Sequence, residues 1–212
     1  LSITSNKIVG IVGPKGSGKT YIAARQFGRE DRAFCYQIVR TNTEYDIFAT
    51  HVTDDLISAF KVMRKEEKFR IVYKVPDNDF VITKSRRIVY ESCPVAANEC
   101  YMEGGLTLYL DEAQRLIGQE WADPRTLRII ELARNQSMNI VWAAQSMEVD
   151  RAIRRNTDEH IFFYMWEPGD LAKVEERCGT ATMERVTQLQ RLKELPDGKI
   201  IPGEYLTWRA YE

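Results

Sequence analysis

The chain has 212 residues, enough for one α/β domain with a well-buried core. Its 30 Lys and Arg against 31 Asp and Glu leave a formal net charge of -1, which excludes a global electrostatic attraction to nucleic acid; any DNA contact must be local. No apolar run approaches the roughly 20 residues of a membrane helix, and Leu1 to Lys7 lacks a basic-then-apolar signal pattern.

The apolar run from Lys7 to Val12 predicts a buried strand. A glycine-rich loop and a helix from Gly18 to Phe27 follow it, then a second strand from Ala33 to Val39. Thr53 reads as the N-cap of a helix with Asp54 and Asp55 in its first turn and Lys61, Arg64 and Lys65 toward its end. Phe69 to Val75 is the next strand. Asp77 to Gly105 reads as mostly helical, broken near Pro94. Leu106 to Leu110 predicts a strand, Asp123-Pro124 opens a helix reaching Gln136, and Asn139 to Ala144 is a strand. A short helix from Val149 to Arg155 precedes a strand from His160 to Met165. Pro168 starts a helix that Gly179 ends, Thr180 to Leu192 forms the last helix, and the chain closes with a hairpin about Asp197-Gly198. Strands alternating with helices predict a single α/β domain, a mainly parallel sheet with helices on both faces. Its core runs over about 1–166, and a small helical and hairpin appendage occupies about 167–212.

Gly13-Pro14-Lys15-Gly16-Ser17-Gly18-Lys19-Thr20 matches the phosphate-binding pattern GxxxxGK[ST] in full, between a predicted strand and a predicted helix. Glycines let backbone N–H groups turn inward around phosphates, and the following helix presents its positive end. Lys19 would pair with the β- and γ-phosphates of ATP, and the Thr20 hydroxyl would ligate Mg²⁺. Asp111-Glu112 ends an apolar strand, where carboxylates project into the crevice that α/β folds use for ligands. One reading is a Walker B pair, with Asp111 holding Mg²⁺ through water and Glu112 polarising the attacking water. The other is an acidic first turn of a helix over Ala113 to Leu116.

Gln145 ends the apolar run 140–144, the place of a γ-phosphate sensor in P-loop ATPases with an additional strand between the P-loop and Walker B strands; a solvated strand end is the alternative. Arg134, late in the preceding helix, also suits a dipole-matched surface position. Arg151, Arg154 and Arg155 form one basic cluster, and Lys84, Arg86 and Arg87 another; each could contact DNA phosphates or simply face solvent. Trp142 and Trp166 read as packing rather than as stacking platforms for bases. Cys35, Cys93, Cys100 and Cys178 form no CxxC pair and His51 and His160 are the only histidines, so zinc-ligand spacings are absent and the cysteines read as reduced thiols.

The order GPKGSGKT, LYLDEAQ, ELARNQSMNIVWAAQS and NTDEHIFFYMWEPGDL resembles the HerA/FtsK superfamily, in particular the compact genome-packaging ATPases of viruses with internal membranes, the turreted icosahedral type above all. In those proteins an arginine precedes the sensor glutamine by eleven residues, the spacing of Arg134 and Gln145. The resemblance covers about 7–192. It implies a RecA-like P-loop fold and a homo-oligomeric ring, a pentamer or hexamer, that uses ATP and Mg²⁺ to pull double-stranded DNA into a preformed capsid. It makes Gln145 the sensor and Arg134 a finger reaching a neighbouring subunit's nucleotide. A capsid vertex or portal protein would be its partner and the host cytoplasm, with docking on the virion, its location. Pro14-Lys15 in the loop and Asn139 before the strand depart from the commoner residues at those places.

Overall fold

Strands β1 (Ile8–Val12), β2 (Arg32–Gln37), β5 (Leu106–Leu110), β6 (Met138–Ala144) and β7 (Glu159–Phe163) are buried at every position. This is the signature of parallel strands covered on both faces, which read as continuous rather than alternating apolar runs. With β3 (His51–Thr53), β4 (Phe69–Lys74) and β10 (Tyr205–Arg209) they form one eight-stranded sheet in the order β10-β7-β1-β6-β5-β2-β4-β3. Every pairing is parallel except that of β10 with β7. The computed structural model describes residues 6–39, 41–76, 88, 91–92, 95–96, 105–117, 124–135, 138–191, 193–194, 200–201 and 203–210.

Alternate residues of each strand face two separate apolar layers. Val9, Ile11, Cys35, Val141 and Ile161 pack beneath helix α1 (Lys19–Phe27) and Tyr45. Ile8, Val12, Phe34, Leu108 and Ile140 face the other layer. That layer is covered by α2 (Leu56–Lys65), α3 (Ala113–Leu116), α4 (Pro124–Asn135), α5 (Arg151–Asn156), α6 (Pro168–Cys178) and α7 (Thr180–Gln188). The sheet is thus flanked by helices on both faces, and β6 is the additional strand between β1 and β5.

Three local expectations shift. Thr53 ends β3, and Asp55 is the cap of α2, its carboxylate accepting from Ile57 N and Ser58 N at 3.1 Å each. The last helix stops at Gln188 rather than Leu192, because the chain beyond it is held by Glu204: Gln190 N donates to its carboxylate and Glu204 N donates back to Gln190 O, both at 2.9 Å. The closing strands divide: β8 (Lys193–Glu194) pairs with β9 (Ile200–Ile201), while β10 leaves them to complete the main sheet. The predicted helical stretch over 77–105 lies mostly outside the described residues; within it Ile88, Glu91, Ser92, Val95 and Ala96 are helical.

Candidate active site

The loop of residues 13–18 joins the C-terminal end of β1 to the first turn of α1. Gly13 N donates to Ala144 O of β6 at 3.2 Å, and a Cβ on Gly13 would lie 2.6 Å from the Cβ of Phe163, so only glycine fits between the two strands. Gly16 and Gly18 have φ of 77° and 101°, the left-handed region where a Cβ is strained. Gly18 occupies the N-cap of α1 and so brings no side chain to its free N–H groups. An uncapped helix start with its positive dipole end open is an anion site.

Ser17 Oγ is buried without a hydrogen-bond partner. Lys19, 6% exposed, directs its ammonium back to Pro14 O at 2.9 Å. Burial pulls its pKa below the usual lysine value, while the negative charges of Glu112 and Asp111 act to raise it. A buried cation bonded to a carbonyl, an orphaned hydroxyl and an uncapped helix start suit the phosphates of a nucleotide.

Asp111 follows β5, its N–H donating to Tyr36 O at 3.2 Å, and is 1% exposed. Burial first and the neighbouring Glu112 second push its pKa up to about 7, while Lys19 and the amide of Asn42 act to lower it. Asn42 reaches Asp111 Oδ2 at 3.5 Å from the loop after β2. That loop is anchored by the ammonium of Lys74, which donates to Asn42 O at 2.6 Å, pairs with Asp46 at 2.9 Å and also bonds the side chain of Gln37. No sequence pattern marked Asn42 or Lys74, since their relation to Asp111 exists only across strands.

Glu112 has φ 54°, one of two left-handed non-glycine residues among those described. It stands at the N-cap of α3, yet its side chain makes no capping bond. Its carboxylate instead accepts from Gln145 Nε2 at 3.0 and 2.9 Å and from the amide of Gln114. The backbone turn thus aims the carboxylate across the ends of β5 and β6, where a strained conformation over-determined by neighbours is expected at a functional site. Lys19, Asp111, Glu112 and Gln145 converge at this one end of the sheet.

Arg134 does not join them. It sits at the opposite end of the strands, donating to Asn6 O at 3.2 Å, Asn156 O at 2.9 Å and the Asp158 carboxylate at 2.9 Å. These acceptors precede β1 and β7, so the guanidinium ties the starts of two strands together. Arg151 and Arg155 share Glu176 at 3.3 and 3.4 Å, and with Arg154 and Arg177 they line a cleft of about 410 Å³. Lys84, Arg86 and Arg87 lie outside the described residues. Trp142 is fully buried, whereas Trp166 is 46% exposed. Among the described residues no group of three His, Cys, Asp or Glu side chains could hold a metal, and no helix is long and apolar enough to cross a membrane.

No family model matches the chain, and no curated protein matches it. Solved structures do. The genome packaging NTPase of Sulfolobus turreted icosahedral virus 2, in complex with AMP, superposes with a TM-score of 0.72 over 95% of this chain and 98% of its own, at 18% identity. The DNA-packaging ATPase of Sulfolobus turreted icosahedral virus gives 0.67 over 95% and 98%, at 20% identity. The chain has the fold of these packaging ATPases. VirB4 of Thermoanaerobacter pseudethanolicus is similar with a TM-score of 0.60 over 95% and 88%, at 12% identity. The likeness extends over nearly the whole chain.

Proposed function

We propose that this chain is the ATP-hydrolysing subunit of a HerA/FtsK-type ring motor that translocates double-stranded DNA, packaging a viral genome into a preformed capsid. The reading rests on the convergence of Lys19, Asp111, Glu112 and Gln145 at one end of a sheet whose fold is that of packaging ATPases. The loop and Lys19 bind the triphosphate of ATP. Mg²⁺, held by Thr20 and through water by Asp111, would neutralise charge on the phosphates. Glu112 accepts a proton from the attacking water, and the Gln145 amide, already bonded to that carboxylate, orients it and senses the γ-phosphate. A carboxylate aimed by a glutamine at the triphosphate end suits water as nucleophile better than a metabolite hydroxyl, which counts against a small-molecule kinase. The likeness to VirB4 favours, as a second reading, a DNA pump of the conjugation type.

DNA contact in this reading is electrostatic. The four-arginine cleft, partly neutralised by Glu176, supplies phosphate contacts on a chain of net charge -1. Arg134 acts on the neighbouring subunit's nucleotide, which requires it to leave Asp158, Asn156 and Asn6 when the ring assembles. The deciding experiment measures oligomeric state and phosphate release with and without double-stranded DNA. A ring whose ATPase rises with DNA is expected; a monomer indifferent to DNA overturns the motor reading. Mixing inactive Lys19→Ala and Arg134→Ala subunits tests the finger. Recovered activity supports it, and no recovery in proven mixed rings assigns Arg134 to the strand tie alone.

A further inference from the structure

Beside the phosphate loop lies a feature that phosphate chemistry does not use. The segment after β7 places Tyr164 and Trp166 on one side, their rings stacked with centroids 5.8 Å apart and planes 24° apart, while Met165 between them is buried. The guanidinium of Arg191 lies over both rings, 4.0 Å from the Tyr164 centroid and 4.9 Å from that of Trp166. The stretch carrying Arg191 is fixed by the paired hydrogen bonds between Gln190 and Glu204. These groups line a cleft of about 160 Å³ whose other wall is Pro14, Lys15, Gly16 and Ser17 of the phosphate loop itself, with Gln190 at its rim.

A partly buried Tyr164 ring stacked with a half-exposed Trp166 ring, with a planar cation lying over both, forms a surface suited to a third flat, electron-rich or polar ring. We propose that this cleft is the nucleobase subsite: the base of the nucleotide stacks on the Tyr164–Trp166 shelf, and Arg191 moves from the rings to close over its outer face. The proposal rests on the nucleotide reading above and adds to it where the base sits and how it is held. Stacking recognises any base through its π-face, so the shelf supplies affinity more than choice among bases.

Calorimetric titration of the wild type, Trp166→Ala and Trp166→Phe with Mg²⁺-ATP and with Mg²⁺-tripolyphosphate, which has the phosphates and no base, separates the two claims. Trp166→Ala is expected to weaken ATP binding roughly 5- to 100-fold, the scale of one lost stacking contact, and to leave tripolyphosphate binding unchanged. Trp166→Phe, which keeps a ring, should retain most of the ATP affinity. Weakening of both ligands by one factor, weakening of neither, or an equal ATP loss in Phe and Ala variants overturns the base subsite while leaving the phosphate site standing. A wild type that binds neither ligand overturns the nucleotide reading, and the subsite with it.

Discussion

Helices α1 and α2 begin in opposite ways. Asp55 closes the start of α2 by accepting from two backbone N–H groups, a side-chain solution that finishes the helix within its own sequence. The start of α1 is a left-handed glycine with no side chain, followed by a buried lysine and preceded by an orphaned serine hydroxyl. The first arrangement serves stability alone. The second leaves the first N–H groups of the helix uncapped and a buried hydroxyl unpartnered, an arrangement suited to an anion. Local finish at one helix and deliberate incompleteness at the other distinguish scaffold from site without reference to any relative.

The sharpest break of that comparison is Lys19→Ala. Phosphate release should fall to background while the melting temperature of the ligand-free protein stays near that of the wild type, since the loss of a buried, desolvated ammonium offsets the loss of its attraction to Asp111 and Glu112. Glu112→Gln should retain ATP binding yet turn it over at least about a hundredfold more slowly, as measured in single-turnover assays; full activity would return the residue to a mere turn. A smaller effect concerns pH. The unfolded chain releases the Asp111 proton near 3.8, but burial holds it to about 7 in the fold, so the folded state binds more protons between those values. Asp111 therefore makes ligand-free stability fall as pH rises through that window. His160, buried and depressed from 6.5 to about 3, acts with the opposite sign: its contribution is lost as pH falls from 6.5 toward 3. Melting curves of Asp111→Asn should consequently show stability rising more steeply with pH across 4 to 6.5 than the wild type. The smallest effect is Asp55→Ala, a drop of a few degrees in melting temperature with unchanged ATPase.

Much of this was legible in the residues. The loop, the Asp111-Glu112 pair and Gln145 are each marked by side chains that a buried strand would not otherwise end on, and continuous apolar runs exposed the parallel strands. What the sequence hid depends on distant partners. Thr53 suits a cap locally, but a three-residue edge strand, paired only with β4, claims it and moves the cap to Asp55. Trp166 reads as packing because nothing near it announces Arg191, which comes back to it from beyond α7. Arg134 has the spacing of a finger, and only the structure reveals that Asp158 holds it in its own chain.

The sheet order bears on how the protein is made. Strand β1, and the phosphate loop it carries, leave the ribosome well before β6 and β7, which are the hydrogen-bonded neighbours of β1. The backbone of Lys7 meets Asn139 across 132 positions, and that of Ile8 meets Asp158 across 150. A nascent chain can therefore pair β2 with β4 early, while the phosphate loop waits unsupported until β6 and β7 have emerged, far from the order of local-first assembly that favours fast folding. An arrest at the ribosome before β6 emerges should yield the half-sheet β5-β2-β4-β3 with no affinity for ATP, and competence should appear late.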